Sequence, residues 1–193
     1  MAANRSETRQ MPRSLRILAV CTHNRTRSVM MGGLLEDHAR GRRLNVAVRS
    51  AGFSEAGGEL PTDNAVRFLE RRGIDVSGYL SHYLSGPGVT GADLIVAAEH
   101  KHVVAIAGRW PEAYDYTFTL PEIVELGERV GPRGRRTHLE WLAALHAERP
   151  DPLGYLDTKV GEIADPTGRS PATWTACFTQ IDDLTARLIA LLG

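Results

Sequence analysis

Cys21 and Arg27 stand six positions apart in the segment Val20-Cys21-Thr22-His23-Asn24-Arg25-Thr26-Arg27-Ser28. An ionised cysteine is a strong nucleophile. An arginine carries a planar fork that matches two oxygens of a phosphate group. The pairing gains meaning from its surroundings. The short apolar run Leu15–Val20 reads as a strand, and a helical pattern runs from Ser28 to about Arg40. Residues 22–27 therefore form a loop between a strand and a helix N-terminus. In such a loop several backbone N–H groups converge on one point and bind a tetrahedral oxyanion. The same amides and the positive end of the helix stabilise a thiolate at Cys21.

Each loop residue has an expected part. Thr22, His23, Asn24, Arg25, Thr26 and Ser28 line the anion site, and Arg27 folds onto it. Ser28 is the natural N-cap, with a hydroxyl that can also donate to the sulfur. Asn24 tolerates left-handed backbone and can pin a tight loop through its amide. His23 is expected to orient backbone or to face solvent. The plain alternative makes Cys21 a buried structural thiol and Arg27 a solvated cation. The placement between strand and helix weighs against it.

The elements that hold this loop follow from hydrophobic periodicity. A second strand covers Asn45–Ser50 and ends at Ala51-Gly52. Pro61 is expected to open a helix carrying Ala65, Phe68 and Leu69 on one face, with Gly73 as its stop. Gly86-Pro87-Gly88 reads as a loop. Asp93–Ala98 is a continuous apolar run, expected of a strand covered on both faces, and a helix follows to about Trp110. Tyr116–Leu120 is a further strand, and Pro121 begins another helix. Residues 131–136 break the pattern, 137–148 are helical, 149–170 form a Pro/Gly-rich loop, and a long amphipathic helix covers about 171–192. Strands alternating with helices imply an open, mostly parallel α/β sheet of about four strands, with helices on both faces. Ligands bind such sheets beyond the carboxyl ends of the strands, where Cys21 lies.

Composition narrows the classes. The chain of 193 residues, 42% hydrophobic and 24% charged, suits one domain spanning 15–193, preceded by a flexible arm at 1–14. With 23 basic and 23 acidic residues there is no global pull toward nucleic acid or an anionic membrane. Two cysteines, Cys21 and Cys177, are too few for a disulfide framework or a cysteine zinc site, so a reduced, cytoplasmic setting is expected. No apolar stretch suits a membrane span. His100 and His102 alternate on a helix and point to different faces, which argues against a metal there. Trp110, Trp141 and Trp174 read as core or rim residues, and the arginines at 133, 135 and 136 as a solvated loop.

The segment Cys21–Ser28 resembles the phosphate-binding loop of the low-molecular-weight protein tyrosine phosphatases, Cys-x5-Arg-Ser/Thr. Further pieces match in order. They are Ser50-Ala51-Gly52, Gly73-Ile74-Asp75-Val76-Ser77-Gly78, Asp93–Ala98 followed by Glu99-His100, and Asp165-Pro166-Thr167-Gly168 ahead of a helix with Trp174. The resemblance implies hydrolysis of phosphotyrosine-like esters through a cysteinyl-phosphate, without metal or cofactor. Asp165 would be the general acid and base. Asp151-Pro152-Leu153-Gly154 repeats the local pattern, and Asp165 is preferred because a long helix with an aromatic residue follows it. Substrates would be a phosphorylated protein or a small aryl phosphate, with inorganic phosphate and other oxyanions as inhibitors.

Departures from the family pattern leave alternatives open. Thr26 stands where a second cysteine is frequent, and Arg25 where a small or aliphatic residue meets the leaving group. Arg25 leaves phosphotyrosine, phosphoarginine and arsenate as candidate substrates. Phe53 is a candidate aromatic wall, Tyr79 and His82 stand where His and Arg are expected, and residues 131–155 look like an insertion. A thiol-coupled arsenate reductase is the second reading; the extra cysteines it would need around 80–90 are missing. A non-enzymatic phosphoprotein-binding module is the third.

Overall fold

The structure, a computed structural model, describes residues 13–55 and 57–193. Strand β1 (Leu15–Cys21) is buried on both faces. Ile17, Ala19 and Cys21 point into one core, and Leu18 and Val20 into the other. It pairs in parallel with β2 (Val46–Gly52), with Cys21 opposite Gly52, and with β3 (Leu94–Ala97). Strand β4 (Thr117–Thr119) extends the sheet in the order β2-β1-β3-β4, all parallel.

The chain leaves β1 through helix α1 (Arg27–Gly41) to β2 on one side. It returns through α2 (Asp63–Glu70) and α3 (Gly86–Thr90) to β3 on the other. This reversal makes the loops after β1 and β3 diverge, which opens a crevice at their carboxyl ends. Helix α4 (His100–Arg109), a 3-10 turn (Pro111–Tyr116) and β4 follow, then α5 (Leu120–Val130), α6 (His138–His146), α7 (Pro152–Tyr155) and α8 (Pro171–Leu192). Met30 and Leu34 of α1, Ile123 of α5, Trp141 of α6 and Leu188 of α8 cover one face of the sheet. Val89 of α3 and Ile106 of α4 cover the other. Helix α8 presents Cys177, Ile181, Leu184, Leu188 and Leu192 to the core at helical spacing. Truncating one such side chain to alanine costs about 2–5 kcal/mol.

Four expectations are corrected. Gly86-Pro87-Gly88 is not a loop but the first turn of α3, because the Ser85 hydroxyl accepts the Gly88 N–H and Pro87 suits a helix start. Helix α2 begins at Asp63 behind a Thr62 cap, so Pro61 precedes the helix rather than opening it. The loop at 149–170 contains α7, capped by Asp151. The arginines at 133 and 136 are not simply solvated. Arg133 donates its backbone N–H to Leu191 O and its Nε to Leu192 O, both at 2.8 Å, and thereby ties down the C-terminus of α8. Most of the expected arm at 1–14 lies outside the described residues; Arg13 approaches Asp93 at 3.6 Å.

Candidate active site

Residues 22–26 cross the carboxyl end of β1 as a tight loop over β2. Gly52 is required there, since a Cβ at that position would meet Asn24 N, His23 C and Thr22 O at 2.7–2.8 Å. Asn24, with φ of 54°, turns the loop through left-handed backbone. Its buried side chain makes the four hydrogen bonds open to an amide. Nδ2 donates to Ser28 Oγ and Ser50 Oγ, both at 2.9 Å, and Oδ1 accepts the Tyr79 hydroxyl and the His82 N–H, both at 2.7 Å. Because Ser28 Oγ accepts from Asn24, its own proton is free to go to Cys21 Sγ, 3.0 Å away.

Ser28 is not the N-cap. Arg27 already lies in α1 and Thr26 holds the cap position, its carbonyl accepting the Met30 N–H at 2.9 Å. The Thr26 hydroxyl is engaged with Thr62 Oγ1 at 3.0 Å. The physical reason is that the Ser28 hydroxyl already serves the Asn24 network and the sulfur.

Arg27 is 2% exposed and binds three acceptors: Glu99 Oε2 at 2.7 Å, Ile163 O at 2.9 Å and Asp165 Oδ2 at 2.8 Å. Glu99 follows β3, and Ile163 is fastened to the same strand end by its N–H to Ala98 O at 2.7 Å. Burial pushes the Asp165 carboxyl up, but the Thr167 amide and the Arg27 charge outweigh it, so the group sits below the usual carboxylate range. Glu99 is likewise held low: burial opposes, and Lys101 and Arg27 prevail. Asp151 stands elsewhere, its Oδ1 accepting the Gly154 N–H at 2.8 Å at the start of α7.

The side chains around the loop are themselves held in place. Arg25 donates Nε to Leu60 O at 2.8 Å and Nη1 to Glu59 at 2.9 Å, and its carbonyl accepts the Thr62 N–H at 2.9 Å. Phe53 stacks on His102 with ring centroids 5.4 Å apart. His102 Nδ1 accepts the Glu99 N–H at 3.2 Å, which leaves the proton on Nε2 to donate to Thr22 Oγ1 at 3.0 Å. Burial lowers this imidazole to about 4, against the opposing pull of Glu99. His23 is exposed. The loop thus brings together Cys21, Asn24, Arg27 and Ser28 with Asp165, while His23 stays at the surface. Sequence reasoning does not find Glu99 or His102 as parts of this site. The available signal was their position just past the carboxyl end of an apolar strand, in the crevice of a parallel sheet.

The model of the family described as low molecular weight phosphotyrosine protein phosphatase matches residues 16–125. The chain belongs to this family. As a low molecular weight phosphatase it is a hydrolase. A Bacillus subtilis protein named protein-arginine-phosphatase is 36% identical over 108 residues, 56% of this chain and 71% of that protein. A probable low molecular weight protein-tyrosine-phosphatase, EpsP, from Ralstonia nicotianae is 34% identical over 107 residues, 55% of this chain and 71% of that protein. The crystal structure of a low molecular weight protein tyrosine phosphatase from T. tengcongensis has 25% identity and a TM-score of 0.70, covering 93% of this chain and 100% of that one. Among the described residues, no helix is long and apolar enough to cross a membrane.

Proposed function

We propose that this phosphatase hydrolyses phosphotyrosine-type aryl esters, with Cys21 as nucleophile, Arg27 as anion clamp and Asp165 as acid and base. The observation that carries the reading is the hydrogen-bond chain from Asn24 through Ser28 to Cys21 Sγ, at 2.9 and 3.0 Å, beside Arg27 and Asp165. In the first step the Cys21 thiolate attacks phosphorus, an S–P bond forms, and the bond to the phenolic oxygen breaks as Asp165 delivers its proton to that oxygen. In the second step Asp165 takes a proton from water, the water oxygen attacks phosphorus, and the S–P bond breaks to release phosphate and thiolate. Arg27 and the amides of residues 22–27 hold the equatorial oxygens throughout.

Asp165 is paired with Arg27 in the structure, whereas the chemistry needs it protonated. A phosphate dianion entering the loop supplies both changes. It competes with Asp165 for Arg27 Nη2, and its negative charge raises the proton affinity of the released carboxyl. Inorganic phosphate and other oxyanions should compete for the same clamp. Both cysteines are free thiols, in keeping with a reducing, cytoplasmic setting. Burial pushes the Cys177 thiol up to about 11, which makes it a poor partner for a thiol-coupled arsenate reduction.

Phosphoarginine is the second reading, favoured by the Bacillus subtilis relative's name. Arg25 does not decide between the two readings, because its guanidinium is neutralised by Glu59 at 2.9 Å. The experiment is hydrolysis of p-nitrophenyl phosphate and of matched phosphotyrosine and phosphoarginine peptides. We expect aryl turnover, none in Cys21→Ser, and a rate about 10²–10⁴-fold lower in Asp165→Asn. Full activity in Cys21→Ser ends the proposal, and higher kcat/KM for phosphoarginine selects the second reading.

A further inference from the structure

A cavity of about 260 Å³ lies between α2 and the start of α8, with Arg67, Arg71 and Arg169 among its walls beside Phe68 and Trp174. No carboxylate lines it. All three arginines are exposed, and none has an acidic partner within ion-pair distance among the described residues. Their neighbour Arg72 shows the contrast, since it is paired with Asp182 at 3.0 Å. The aromatic part is packed together. Phe68 stacks on Phe178 at 4.8 Å, Arg71 lies over the Phe68 ring at 5.4 Å, and Trp174 is 7% exposed.

Both walls of the cavity continue into the candidate active site. Helix α2 is tied to the anion loop through its cap, where the Thr62 N–H reaches Arg25 O and its hydroxyl reaches Thr26. The opposite wall is the loop that starts at Asp165, whose Arg169 N–H binds Pro166 O at 3.0 Å. Along α2, Arg67 and Arg71 lie about 8 and 13 Å beyond Thr62 at 1.5 Å per residue. An extended peptide covers that span in about two to four residues.

We propose that this cavity is a subsite for an acidic side chain of the phosphoprotein substrate, two to four residues from the phosphorylated tyrosine. The inference rests on the phosphotyrosine reading above. Three cations without carboxylate partners create a positive potential at a concave, partly apolar surface, which favours a carboxylate with a short apolar stem. The exposed geometry makes the attraction modest and sensitive to salt.

The test uses phosphotyrosine peptides that carry Glu or Ala at each of the four positions on either side of the phosphotyrosine. Their kcat/KM is compared between the wild-type protein and Arg67→Gln/Arg71→Gln/Arg169→Gln. The readout is the Glu-to-Ala ratio within each protein, so a general change in activity cancels. We expect a ratio of about five to ten at one or more positions in the wild type, falling toward one in the triple variant and in 0.5 M salt. A wild-type ratio near one at every position, or an unchanged ratio in the triple variant, overturns the subsite. Failure to hydrolyse p-nitrophenyl phosphate would instead defeat the phosphotyrosine reading. The subsite is then judged by binding of the same peptides to Cys21→Ser, where equal affinity for Glu and Ala peptides overturns it.

Discussion

Two arginine side chains of this molecule are buried to the same degree and meet opposite surroundings. Arg27 is 2% exposed and bridges Glu99 and Asp165, and the Asp165 side chain is itself 42% exposed. The Arg149 side chain is 1% exposed and pairs with that of Glu122, 6% exposed, at 2.8 Å. Its guanidinium carbon lies 4.2, 4.3 and 4.6 Å from the ring centroids of Tyr114, Phe118 and Tyr155. Glu122 also accepts the Tyr155 hydroxyl at 2.8 Å and the Thr119 N–H at 3.0 Å, so both of its oxygens are held. The difference lies in the partners. Arg27 has one acceptor that solvent can reach and an incoming anion can replace. Arg149 has partners that cannot leave, and it fastens the chain after α6 to α5 and the 3-10 turn. Burial of a cation does not by itself mark a functional site; an exchangeable counter-ion does.

The contrast breaks first at Arg149. Arg149→Met should lower unfolding free energy by about 3–5 kcal/mol, because Glu122 is left buried without its cation. The folded protein should keep kcat for an aryl phosphate within about twofold. Denaturant titration beside a turnover assay checks both, and Arg149→Met/Glu122→Leu should regain part of the loss. Intact stability with abolished turnover would erase the distinction between the two arginines.

Arg27→Lys should behave in reverse. The ammonium keeps a charge between Glu99 and Asp165 but loses the fork, so kcat/KM should fall about 10²–10³-fold while stability changes far less. Stopped assays across substrate concentration and a urea melt of the same preparation separate the two effects.

The smallest effect sharpens the picture with pH. Unfolded chain protonates its imidazole below about 6.5, whereas His102 in the folded protein resists until about 4. Its folded value is depressed, so the unfolded state binds more protons in that window. The contribution is complete above 6.5 and is lost as pH falls toward 4, to a limit of roughly 3 kcal/mol. The stability gap between wild type and His102→Gln should therefore narrow between pH 7 and 4.5. A constant gap would mean that His102 is charged against Phe53 and Thr22, contrary to its hydrogen bonds.

Much of this was readable from the chain alone where contacts are local. The apolar run at Leu15–Val20, the loop to Ser28 and the helix behind it gave the sheet class and singled out Cys21 and Arg27 as candidates, because strand and helix periodicities act over a few residues. The helix 171–192 was legible for the same reason, with Ser170 capping it and Pro171 starting it. Shorter elements were missed. The helix at Gly86–Thr90 depends on one serine cap and a proline in its first turn, which together outweigh its glycines.

What the amino-acid order determined by itself was the strand–loop–helix around Cys21 and the types of side chain offered there. Only the tertiary structure decided which partners those side chains meet. Arg27 finds Glu99 and Asp165 at 72 and 138 positions along the chain, and Asn24 is locked by Ser50 and Tyr79. It also gave the two Asp-Pro segments different work, a helix cap at Asp151 and an ion pair with Arg27 at Asp165. The reason is physical: hydrogen bonds and ion pairs at these distances depend on where the crossovers of a parallel sheet deliver remote loops, and no local pattern encodes that delivery.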